Sequence, residues 1–204
     1  MVLMAKSKEP MLLFGMKIPR SILNTSHQEE CPVIKIPLTP EMIEEAKAEQ
    51  AKFDAQKTWN KFPSPNNYIG LLGEMALDAH LKSLGIDHEW VVFNKQGWKD
   101  PDFRHNGLTI DMKTTFDTKM WNQTPKWDVY VMGHLPRHQE YLELRGWLTR
   151  GKMEELMEKA ENNGGSAEGC AKVIRDFGKG PRTDWTFNDE AMFSTDDLFS
   201  YIFI

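Results

Sequence analysis

The sequence predicts a mixed α/β domain, a central sheet layered with helices. Three observations lead there. Short alternating apolar–polar segments recur through the middle of the chain. Two helical segments with caps, stops and an apolar stripe come before them. Turn formers cluster between the two kinds of segment. At 204 residues the chain can bury a core as one domain. Residues 1–32 read as an N-terminal extension, with little expected order, and 33–204 as the domain.

VIKIPL (Val33–Leu38) alternates and reads as a strand. Thr39-Pro40-Glu41 then opens a helix running to about Trp59. The threonine can cap, proline suits the first turn, and glutamate favours the positive helix end. KFPSPNN breaks the chain, and a second helix spans about Tyr68–Leu84, stopped by Gly85. Ile69, Leu72, Met75 or Ala76, and Ala79 form its apolar stripe. Gly70 and Gly73 are poor helix formers, so a close approach is expected at both. Strands follow at His88–Phe93, Leu108–Thr115, Trp127–Leu135 and Glu140–Arg150, with Asn106-Gly107 as a tight turn before the second. GKMEELMEKA is a short helix, and Gly169–Phe177 is read as another. The C-terminal segment is read as a short strand and a closing helix capped by Ser194 or Thr195.

No apolar run approaches the roughly 20 residues that span a membrane. A cytoplasmic protein is expected. Cys31 and Cys170 lack zinc-ligand spacing and read as inert thiols. The net charge of −5 counts against a broad phosphate-binding face. The charge is uneven, however. Acids gather on the first helix and near the C-terminus, while Lys113, Lys119, Lys126, Arg145 and Arg150 lie in the middle.

The stretch KDPDFRHNGLTIDMKTT carries the chemistry. Alternation puts Asp111 and Lys113 on one face of a strand and Ile110 and Met112 on the other. The Asn106-Gly107 turn brings Asp102 back beside Asp111. Two adjacent carboxylates repel, and a divalent cation with hard oxygen ligands resolves the conflict. A lysine on the same face supplies positive charge where a phosphate is attacked.

Pro101-Asp102 followed by Asp111-Met112-Lys113 resembles the PD-(D/E)xK nuclease superfamily, whose fold is restriction-endonuclease-like. Gly73-Glu74-Met75-Ala76 is similar to the glutamate-bearing segment on the first core helix of many members. The order of elements agrees over about 68–150. Leu144–Arg150 is similar to a late strand of phage and bacterial branches. The resemblance implies a single domain with a mixed central sheet and a Mg²⁺-dependent nuclease, Mn²⁺ substituting. It implies that Asp102 and Asp111 bind the metal, that the Met112 carbonyl is a further ligand, and that Glu74 is a ligand or holds a metal-bound water. Lys113 would position the attacking water. The implied partner is nucleic acid, DNA above all, with a homodimer possible for cutting both strands. A phage origin would place the protein in the host-cell cytoplasm. The alternative is a catalytically inactive nucleic-acid-binding or assembly protein of the same fold.

Asp100 is read as a solvated turn residue. The six histidines lack metal spacing and read as structural or surface groups; His105 lies nearest the motif. Trp98, Phe116, Trp121 and Trp127 alternate with Lys119 and Lys126, and are read as packing or as platforms for unpaired bases. Thr114 and Thr115 are open between phosphate contact and plain strand propensity.

Overall fold

The computed structural model describes residues 11–13, 16–18, 33–56, 66–91, 100–176 and 180–203. The chain divides into two units, Met1–Cys31 and Pro32–Ile204. In the first, β1 (Met11–Leu13) pairs antiparallel with β2 (Met16–Ile18).

The second unit is mixed α/β, as the sequence predicts. Its six-stranded sheet has the order β3-β9-β8-β6-β5-β4. The strands are β3 (Ile34–Pro37), β4 (Glu89–Trp90), β5 (Phe103–His105), β6 (Leu108–Thr115), β8 (Val129–His134) and β9 (Tyr141–Thr149). All neighbours are antiparallel except β6 and β8. Asn106 and Gly107, with φ of 47° and 79°, make the tight turn between β5 and β6. Two consecutive positive φ values suit the right-handed twist of a short hairpin.

Helix α1 (Pro40–Gln56) starts where Thr39 Oγ1 accepts from the Met42 amide at 3.2 Å. Its glutamates 41, 44, 45 and 49 are exposed, a solvated face. Helix α2 (Tyr68–Ser83) ends with Ile86 N–H on the Leu81 carbonyl and Gly85 N–H on that of Lys82. That double closure is what a glycine just past the helix end permits.

A parallel pair needs a crossover, and here the crossover does second duty. Between β6 and β8 the chain forms β7 (Met120–Asn122), which joins a second sheet of order β10-β11-β12-β7. That sheet comprises β10 (Ser166–Ala167), β11 (Cys170–Asp176) and β12 (Pro181–Phe187), all antiparallel. The expected helix at Gly169–Phe177 is therefore a strand, and the expected single cluster of strands is two sheets. Full register with β12, from Cys170 opposite Phe187 to Asp176 opposite Pro181, decides β11. Helix α3 (Arg150–Asn162) is capped by Thr149 and α4 (Thr195–Tyr201) by Ser194.

Alternation along β8 divides the interior. Val129 and Val131 join a core with Ile110, Met112 and the α2 residues Leu72, Ala76 and Leu77. Tyr130 and Met132 join a second core with Met153 and Leu156 of α3 and Trp185 and Phe187 of β12. The six-stranded sheet is thus covered on both faces. Ala79 is exposed, so the apolar stripe of α2 turns through Leu77 and Leu81 instead.

Two devices set α2 and β6 in place. Asp128 grips the start of β6: its Oδ2 accepts from the Thr109 amide at 2.9 Å and the Thr109 hydroxyl at 2.7 Å. Gly73 lets α2 close onto β6. A β-carbon there would lie 1.8 Å from Thr114 Oγ1 and 2.8 Å from Thr114 Cβ. Gly70, expected to be as crowded, has nothing within 4 Å of that position. Gly73→Ala gains about 1 kcal/mol of helix propensity, but the collision with a β-branched strand residue outweighs it. A net loss of about 1–2 kcal/mol is expected in urea unfolding, and Thr114→Ala in the same chain should recover most of it. An additive double variant would contradict this contact.

Candidate active site

Helix α2, the segment before β5, and β6 each bring one acid to the same place. Glu74 lies on α2, one residue past the close approach of Gly73 to β6. It is 6% exposed, as is Asp111 on β6. That burial rules out a solvated helix charge at Glu74. Glu74 Oε2 accepts from the Trp90 indole N–H at 3.2 Å.

Asp102 sits where β5 parts from β6. Its own amide donates to the Ile110 carbonyl at 3.0 Å, and its carbonyl accepts from Val91 at 2.8 Å. Its Oδ2 then accepts from the Met112 amide at 2.7 Å. The side chain stands in for the next strand acceptor, so its carboxylate is locked to the backbone beside Asp111. Strand geometry turns the Met112 carbonyl to this same edge.

Lys113 lies two residues on, and its ammonium rests against Asp111 Oδ2. The two form a close ion pair, with the Asp111 carboxylate buried. The Lys113 side chain keeps 34% of its surface.

The electrostatics bind the four together. Burial pushes the Glu74 carboxyl up to about 7; the Trp90 indole opposes this and the Asp111 charge adds to it. Burial, then the charges of Glu74 and Asp111, raise Asp102 well above the ordinary carboxylate range. Burial also raises Asp111, against the pull of Lys113, the Trp127 indole and Lys126. Burial alone would lower Lys113, but Asp111 outweighs it and the ammonium is held more firmly than usual. Asp111 and Lys113 thus act on Glu74 and Asp102 as well as on each other.

As placed, no three Asp, Glu, His or Cys side chains among the described residues stand close enough to hold a metal ion. The contacts give the reason. Asp102 is turned to Met112, Glu74 to Trp90 and Asp111 to Lys113. The donors themselves are hard oxygens on acids whose ionisation burial and one another's charge oppose. That chemistry suits Mg²⁺.

The neighbours fall out as follows. Asp100 makes an outer ion pair with Arg104 at 3.7 Å. His105 is buried, its Nδ1 2.6 Å from the Asp87 carbonyl, a structural role. Thr115 caps the next turn, its Oγ1 accepting from Asp117 at 3.0 Å. Trp121 lies under the Arg175 guanidinium at 4.2 Å. Phe116 and Trp127 pack against the two cores, and Trp98 and Cys31 lie outside the described residues. Cys170 is buried, its thiol pushed up to about 11, and so unreactive. Of the expected strand at His88–Phe93, Glu89–Trp90 is strand and 92–93 fall outside the described residues. Trp90 was not singled out in the sequence; alternation gave it a face but not a partner. His88 of the same segment lies 3.0 Å from Asp78 of α2, which pins β4 to the helix that carries Glu74.

No protein-family model, no curated protein and no solved structure matches this chain. No helix among the described residues is long and apolar enough to cross a membrane.

Because the folded Glu74 pKa is raised above 4.5, the folded chain keeps a proton that the unfolded chain has released. Stability is fully present below pH 4.5 and is lost as pH rises through about 7. The loss attributable to Glu74 is on the order of 3 kcal/mol. Glu74→Gln has no such proton. In urea unfolding with a chelator present, the wild type should lose more stability than Glu74→Gln between pH 5 and pH 8. Parallel pH profiles would refute the charge assignment.

Proposed function

We propose that this protein is a Mg²⁺-dependent nuclease that hydrolyses phosphodiester bonds in DNA by attack of an activated water, with Mn²⁺ able to substitute. One observation carries the reading. Two buried acids, Glu74 and Asp111, and the half-buried Asp102 come from three separate elements and act on one another around a single lysine, Lys113. Structural ion pairs do not call for three acids per cation, and burying charge without compensation is costly.

Asp102, Asp111 and the Met112 carbonyl would hold the ion, with Glu74 beside them. When bound, the ion supplies Lewis-acid charge at the phosphate and acidifies water. The chain's own groups do the rest. Lys113, held as an ammonium, is a donor and not a base, so it orients the water and meets negative charge growing on the phosphate oxygens. Glu74, pushed up to about 7, is the acid poised to take a proton near neutrality. Trp90 keeps its carboxylate oriented.

A second reading has one observation in its favour. Lys113 already neutralises Asp111, so the cluster also suits a non-catalytic nucleic-acid-binding protein. Plasmid DNA incubated with Mg²⁺ or Mn²⁺ separates the two. Metal-dependent cleavage is expected, falling about 10²–10³-fold in Lys113→Ala and at least as far in Asp111→Asn. Cleavage that survives unchanged in both variants, or no cleavage with either metal, would remove the nuclease reading.

A further inference from the structure

Residues 123–128 join β7 to β8 and pass beside the acidic cluster. Their placement is held at several points. The Tyr130 hydroxyl accepts from two consecutive amides, those of Lys126 and Trp127, the second at 2.9 Å. The Lys126 carbonyl accepts from Arg150 Nη1 at 3.3 Å. Asp128 is fixed to Thr109 on β6. Tyr130 is 2% exposed and lies opposite Asp111 in the β6–β8 register. A buried phenol facing two adjacent N–H groups is an unusual way to fix a turn. It leaves the Lys126 side chain exposed while its backbone is pinned.

The turn also reaches the site. Tyr130, whose hydroxyl holds the Lys126 and Trp127 amides, stands opposite Asp111 on the neighbouring strand, and the Trp127 indole and the Lys126 charge both act on Asp111. An incoming DNA strand meets three acids here in a chain of net charge −5. Its phosphates need a cation beyond Lys113, placed before the acids are reached.

We propose that the Lys126–Trp127 turn is the phosphate-docking lip of this site, with Lys126 binding the DNA phosphate next to the one attacked and Tyr130 acting as the positioning residue that latches the turn. This rests on the nuclease reading and deepens it. Lys126 contributes binding and not chemistry. Tyr130 acts only through Lys126, so removing its hydroxyl matters only while the lysine is present.

The test is steady-state cleavage of a defined duplex in Mg²⁺ at several salt concentrations. Lys126→Ala should raise KM several-fold at low salt, leave kcat within about twofold, and lower the salt slope by about one. Lys126→Arg should restore KM. Tyr130→Phe keeps the ring and should raise KM to a similar degree, with no further effect in the Lys126→Ala background. Lys119→Ala, an exposed lysine of the same crossover, serves as the control and should change little. Equal KM values for wild type and Lys126→Ala, a matching effect from Lys119→Ala, or additive Tyr130 and Lys126 effects would overturn the lip while leaving the nuclease intact. A wild type that cuts no DNA would overturn both. Should Tyr130→Phe not fold, the exposed pair Lys126→Ala and Lys126→Arg decides alone.

Discussion

Repulsion among three neighbouring carboxyl groups, two of them buried, is the constraint around which this structure is organised. Asp111 raises the cost of ionising Glu74, both raise that of Asp102, and Lys113 opposes all of these charges. Left to relax, such groups would separate into water, where each is solvated at little cost. The fold prevents this by taking them from elements it holds rigidly for other reasons.

Each restraint is local and specific. Gly73 removes the β-carbon that would hold α2 away from Thr114. Asp102 is tied through its amide, carbonyl and carboxylate to three backbone partners. Val91 and Trp90, adjacent on one short segment, brace Asp102 and Glu74 respectively. Thr114 Oγ1 is buried without a hydrogen-bond partner among the described residues. A close helix–strand approach thus comes at the expense of one hydroxyl's hydrogen bond. Preorganisation of this kind keeps polar groups aimed where a reaction needs them and removes the need to order them during it.

Much of this was legible beforehand because the signals are local. Helix caps at Thr39 and Ser194, the Asn106-Gly107 turn and the alternation of Ile110–Lys113 depend on neighbours in sequence. The neighbourhood of Asp102, Asp111 and Lys113 was legible because the Asn106-Gly107 turn folds β5 back on β6. What was missed depends on distant partners. Cys170–Asp176 has no strong period of its own, and pairing with β12 makes it a strand. The second sheet follows from that pairing. Trp90 and Tyr130 gave no separate signal, since their hydrogen bonds run to residues on other elements or around a turn. Close approach at Gly73 and its absence at Gly70 looked alike in sequence, because which side of α2 meets β6 is a tertiary fact.

The route of the chain from β6 to β8 carries one more consequence. By lending β7 to the other sheet, the crossover makes the two sheets share a connection that neither can complete alone. Pairing of β7 with β12, far along the chain, therefore restrains the crossover that joins the parallel pair. Joining the two sheets requires a long-range contact, of the kind whose loop closure slows folding. Partial melting of one sheet would loosen the other, so the two halves stand or fall as one cooperative body.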